Sequence, residues 1–117
     1  MSIINKRKTK KLRSDFLCVD ILYLKNYILS LINEMNIEES KSDVYDLLNE
    51  ANYIYKKYQN NDYIEIEIVL NDLNNIKNKI TKLHIRKTKN KTMIEKYEDI
   101  CFFITESKKL YNSDFAI

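Results

Sequence analysis

The side chains that could do chemistry are few and scattered: an imidazole at His84, thiols at Cys18 and Cys101, and nearby carboxylates at Glu65 with Glu67 and Glu98 with Asp99. A catalytic imidazole needs a nucleophile or an orienting carboxylate within reach. His84 has Lys82 and Arg86 as its charged neighbours instead, the setting of a surface histidine. Residues one or two apart on a helix point in different directions, so neither carboxylate pair forms an acid–base dyad. Both belong to solvated faces. The two cysteines match neither a disulfide framework nor metal-ligand spacing, and suit reduced cytosolic thiols packed as small hydrophobes. The expectation is a non-enzymatic protein with no metal and no cofactor.

Positive charge is the other chemical signal. Residues 1–14 carry six bases and no acid: Lys6, Arg7, Lys8, Lys10, Lys11 and Arg13. Residues 73–91 carry seven bases and no acid, among them Lys82, Arg86, Lys87, Lys89 and Lys91. The segment between them, 15–72, holds twelve acids against four bases, so the net charge of +3 hides a strongly uneven distribution. A basic arm can bind nucleic acid phosphates or an anionic membrane surface, or simply keep a tail solvated. The second cluster also complements the C-terminal dipole of the helix that it ends. Sequence-specific readers usually add a recognition helix, zinc ligands or an RNA-stacking motif, and no such motif accompanies these lysines.

The elements that must position these groups are helices. Leu17, Ile21, Leu24, Ile28, Leu31 and Met35 form one apolar stripe, and Ile66, Val69, Leu73, Ile76, Ile80 and Leu83 form another. Steps of three and four residues put each set on one side of an α-helix. Helix one runs from a cap at Ser14 or Asp15 to about Met35. Helix two opens on a Ser40–Asp43 capping box and buries Val44, Leu47, Leu48, Ala51, Ile54, Tyr55 and Tyr58. Asn60, Asn61 and Asp62 make a turn, with Asp62 as N-cap of a third helix reaching about Leu83. Thr92 and Glu95 box the start of a fourth, which carries Ile94, Tyr97, Ile100, Cys101 and Ile104 to about Leu110. Tyr63 to Ile68 alternates as a strand would, but no convincing partner strand is visible and the helical ladder from Ile66 is longer, so helix is expected there.

Short connections favour antiparallel neighbours. The predicted fold is therefore all-α: an antiparallel up-down four-helix bundle over 15–110, with a basic N-terminal arm over 1–14 and a short C-terminal tail over 111–117. Glycine and proline are both absent, so no helix can use a glycine C-cap and no glycine loop can cradle a phosphate. Asparagines at 36, 60, 61, 90 and 112 are the natural substitutes at positive φ. Abundant isoleucine, asparagine, lysine and tyrosine suggest a low-GC genome. Asp20 interrupts the apolar run after the basic start, and no cleavage pattern follows, so neither a signal peptide nor a membrane span is expected and the location is cytoplasmic. Helix one has a second apolar face in Phe16, Val19, Leu22, Tyr23 and Tyr27, suited either to packing on two sides or to a homodimer or partner surface.

Three segments carry a family resemblance: Ser42-Asp43-Val44-Tyr45-Asp46-Leu47-Leu48, the turn Asn60-Asn61-Asp62, and Val69-Leu70-Asn71-Asp72-Leu73-Asn74-Asn75. With the basic connection Lys82–Lys91, a last amphipathic helix and a short tail, they resemble the class II (pediocin-like) bacteriocin immunity proteins over roughly residues 20–112. The resemblance implies a cytosolic four-helix bundle that protects a bacteriocin producer by binding at the bacteriocin-bound mannose permease. It further implies that the C-terminal half sets which bacteriocin is resisted. The matching region here would be Lys82–Lys91, helix four and the tail, so the expected partner-binding residues are Lys82, Arg86, Lys87, Lys89, Lys91, Tyr111, Phe115 and Ile117, with the arm helping to hold the protein near anionic lipid. The competing expectation is a small phage, plasmid or viral regulator that binds nucleic acid or a host protein through its basic surfaces.

Overall fold

The computed structural model describes residues 11–35, 41–83 and 90–112. Within them run β1 (Lys11–Arg13), α1 (Ser14–Glu34), α2 (Lys41–Gln59), β2 (Tyr63–Glu65), α3 (Ile66–Thr81) and α4 (Lys91–Asn112). Each helix packs on its sequence neighbours, and α1 closes the ring against α4. That order is an up-down four-helix bundle. The α1 ladder from Leu17 to Met35 is buried throughout, as is the α3 ladder from Ile66 to Ile80, with Leu83 half-buried beside it. Val44, Leu47, Ala51, Ile54 and Tyr58 complete the core from α2, and Met93, Tyr97, Ile100, Ile104 and Tyr111 from α4. Each fully buried aliphatic side chain contributes roughly 1.5–3 kcal/mol, which supports a small bundle without a disulfide.

Residues 63–65 differ from the helical expectation. They form β2, antiparallel to β1, with Lys11 opposite Glu65, Leu12 opposite Ile64 and Arg13 opposite Tyr63. The alternation is real because Leu12 and Ile64 both point into the core, at 2% and 5% exposure, while their neighbours stay in water. The partner strand comes from the end of the basic arm, where one leucine between two cations is all that marks it. Ser14 N–H then donates to the Asp62 carbonyl at 2.9 Å, joining the start of α1 to the turn before β2.

Cap positions shift accordingly. Arg13 occupies the N-cap of α1 and Glu65 that of α3, both in extended geometry without a side-chain cap bond. Ser14, Asp15 and Asp62 are therefore not the caps expected of them; Asp15 instead accepts from the Phe16 N–H at 2.9 Å. At α4 the cap is Asn90 rather than Thr92. Its Oδ1 accepts from Met93 N–H at 3.1 Å, and its Nδ2 donates to the Glu34 carbonyl at the end of α1, at 3.4 Å. One asparagine thus serves a helix start and a helix end, which a local capping pattern does not reveal. No described residue has positive φ, so Asn60, Asn61, Asn90 and Asn112 do not act as glycine substitutes. Ser40 and Asn36 lie outside the described residues.

Polar ties set the helix register around this core. Tyr58 and Lys57 of α2 meet Asp72 of α3, and Glu50 meets Lys79 at 3.0 Å. Lys108 of α4 donates to the Asn74 side chain of α3 at 2.5 Å.

Candidate functional site

The groove between α1 and α4 combines apolar surface with negative charge. Tyr27 and Asp20 line it from α1; Asp99, Phe102, Phe103, Glu106, Ser107 and Leu110 line it from α4, around about 300 Å³. Spacing puts the α4 residues there: positions 99, 102, 103, 106, 107 and 110 recur every three or four residues along one flank. The Tyr27 and Phe103 rings meet at 5.5 Å with planes inclined at 53°, fixing the floor in an aromatic contact. Phe102 stands at the mouth and is 67% exposed, the most exposed large apolar side chain among the described residues.

Below the rim, Tyr111 donates its phenol proton to the Asp20 carboxylate, and Ser107 hydrogen-bonds the same phenol. Burial pushes the Asp20 pKa up, while the Tyr111 hydrogen bond pulls it down. Burial, followed by the hydrogen bond and charge of Asp20, drives the Tyr111 phenol well above the ordinary tyrosine range. On the rim Glu106 pairs with Lys109 at 3.2 Å. Among the described residues no lysine or arginine pairs with Asp20 or Asp99. An apolar floor with an acidic rim is chemically suited to an amphipathic segment that presents large apolar side chains and cations.

The residues expected to recognise a partner are dispersed. Lys82 sits exposed at the C-cap of α3 and Lys91 exposed at the start of α4. Lys11 and Arg13 lie in β1, beside the start of α3. A 16-residue helix separates these two ends by roughly 24 Å, so the described parts of the basic segments do not form one surface. Arg13 is further committed to Asp15 at 2.6 Å and to the Phe16 ring at 5.3 Å. Tyr111 is a correction: it is 3% exposed inside α4, part of the core rather than of a tail offered to a partner. Lys6, Arg7, Lys8, Lys10, Arg86, Lys87, Lys89, Phe115 and Ile117 lie outside the described residues, as does His84.

Of the remaining candidates, Cys18 and Cys101 are unpaired thiols half-buried against the core. Burial, and secondarily the charge of Asp15, raises the Cys18 pKa and disfavours the thiolate. Among the described residues no group of three or more metal-ligating side chains comes together, and no helix is long and apolar enough to cross a membrane. The second face of helix one is exposed at Phe16, Val19, Leu22 and Tyr23, with Tyr27 half-buried against α4, so the described residues leave most of that face uncovered. Sequence reasoning missed the groove because its parts read separately. The helical spacing of Asp99, Phe102, Phe103 and Glu106 was available, but the α1 flank that faces them was not.

Comparison with known proteins adds no family: no family model matches the sequence, and neither a curated protein nor a solved structure matches it.

Proposed function

We propose that this protein is a non-enzymatic immunity protein that binds a basic, amphipathic segment of its target in the α1–α4 groove. The observation that carries the binding reading is the groove itself: an aromatic floor, Phe102 projecting at its mouth, and carboxylates at Asp20 and Asp99. The immunity reading draws on the four-helix bundle and on the resemblance of the α2 and α3 segments to class II bacteriocin immunity proteins. In this reading the protein works in the cytoplasm or at the inner membrane face, and engages the bacteriocin-bound permease. Helix α4 supplies the specificity, in keeping with the resemblance. The tail after Asn112 is a second contact, and a truncation that tests it must begin at Ser113 because Tyr111 belongs to the core.

The test is survival of bacteriocin-sensitive cells that express the chain, challenged with a panel of class II bacteriocins. Resistance to one peptide and not to the others is the expected result. Uniform killing despite good soluble expression would reject the immunity reading and leave the groove in need of another basic partner.

A further inference from the structure

Helix α1 buries one stripe and leaves a second in solvent. Val19, Leu22, Asn26, Leu29 and Asn33 are all exposed and step by three, four, three and four residues. That is the a/d seam of a two-stranded coiled coil: valine at the first a position, leucine at both d positions, asparagine at the remaining a positions. Valine at a with leucine at d favours two strands, and asparagine at a sets register and partner number at a cost in stability. The seam has no charged side chain, although charged residues make up 32% of the chain. At the flanks of a parallel pair, Lys25 in the g position faces Ser30 in the partner's e position, so that flank brings no like charges together. One step before Val19, Asp15 takes the preceding d position, where its own Arg13 at 2.6 Å offsets its charge against the second copy's Asp15.

We propose that this face docks a second copy of the chain, α1 against α1 in parallel, about a two-fold axis running along the helices. A two-fold interface must be complementary to itself, and an uncharged heptad seam with paired asparagines meets that condition. Phe16, Val19, Leu22, Tyr23 and Leu29 are each 41–56% exposed. At on the order of 100 Å² apiece, they would bury about 1,000 Å² of apolar surface across two copies, near the lower bound for a specific interface. Two heptads suffice because the core already holds α1 helical, which removes the nucleation cost that makes short isolated coiled coils marginal. Asp20 and Tyr27, on the flank turned to α4, stay outside the seam, so the pairing stands or falls independently of the groove.

Sedimentation equilibrium on the full chain, from low to high micromolar concentration, should show a reversible monomer–dimer equilibrium. Leu22→Glu combined with Leu29→Glu should weaken it at least about tenfold with helicity unchanged, since both positions are exposed. Asn26→Val should tighten it, because an apolar residue replaces a polar one in the seam. Asn33→Cys, in a Cys18→Ser and Cys101→Ser background, should oxidise to an interchain disulfide, which an antiparallel pair could not form at that end of α1. The proposal is overturned if the wild type and Asn26→Val remain monomeric throughout, as they would if the chain's own tail or a different protein covered this face. It is equally overturned if the two glutamates leave a dimer intact, or if Asn33→Cys fails to cross-link.

Discussion

Two tyrosine–aspartate pairs tie this bundle together, and they do so under different electrostatic conditions. Tyr58 of α2 donates to Asp72 of α3 at 2.7 Å, and the Lys57 ammonium lies 2.9 and 2.8 Å from the two oxygens of that carboxylate. Tyr111 of α4 donates to Asp20 of α1, but no cation among the described residues completes that pair. The first is a closed triad in the scaffold. The second leaves its negative charge on the wall of a groove, where a partner's cation can reach it. Both carboxylates hold helices together, but only the second carries a further role, in the proposed recognition by the groove.

Removing a carboxylate should show the contrast most strongly. Asp72→Ala leaves a buried phenol and a partly buried ammonium without their acceptor, and should cost about 3 kcal/mol in urea denaturation. The phenols come next. Tyr58→Phe should cost about 2 kcal/mol and Tyr111→Phe about 1 kcal/mol, because Asp20 keeps more access to water than Asp72, which is 9% exposed. A larger loss for Tyr111→Phe would erase the distinction between scaffold and groove.

Alkaline titration sharpens the same comparison. Burial and the neighbouring carboxylate push both phenols well above the ordinary tyrosine value. The folded state therefore holds these protons more tightly. The stability they contribute is complete below the unfolded tyrosine pKa of about 10, and is lost as pH climbs through the folded values. Of nine tyrosines, Tyr58 and Tyr111 should be silent in a phenolate absorbance titration until the chain unfolds, and either phenylalanine variant should flatten the alkaline stability slope.

The smallest expected effect is at Asp20. Its raised pKa means the folded state favours the protonated form, so its contribution is fully present below the unfolded carboxyl value and lost as pH rises through the folded one. Asp20→Asn keeps an acceptor for Tyr111 without the charge. At neutral pH it should fall within about 1 kcal/mol of the wild type, with the comparison shifting toward the wild type as pH falls. A large neutral-pH destabilisation would show that the carboxylate charge itself holds α1 to α4.

The four helices were legible because a buried stripe must repeat every three or four residues, and Leu17–Met35 and Ile66–Leu83 do so without interruption. What escaped was information held by pairs distant in sequence. Leu12 is an ordinary leucine in a charged arm until Ile64 is set opposite it, and that pairing turns Tyr63–Glu65 from helix to strand. Asn90 caps α4 because the end of α1 is beside it to be satisfied at the same time. Tyr111 looked like the first residue of a tail, whereas α4 carries it onto Asp20 in the core. The groove was unreadable for the same reason, since half of it comes from α1 and half from α4.

The most direct test of the groove is to compare two sets of substitutions in the bacteriocin survival assay. One set places acidic groups on the groove, Phe102→Asp with Leu110→Asp; the other neutralises exposed cations at the bundle ends, Lys82→Gln with Lys91→Gln. All four positions are exposed, so helicity should be preserved in both. The groove account predicts that protection is lost in the first set and retained in the second. Protection that survives the groove substitutions but fails with the lysine substitutions would contradict it.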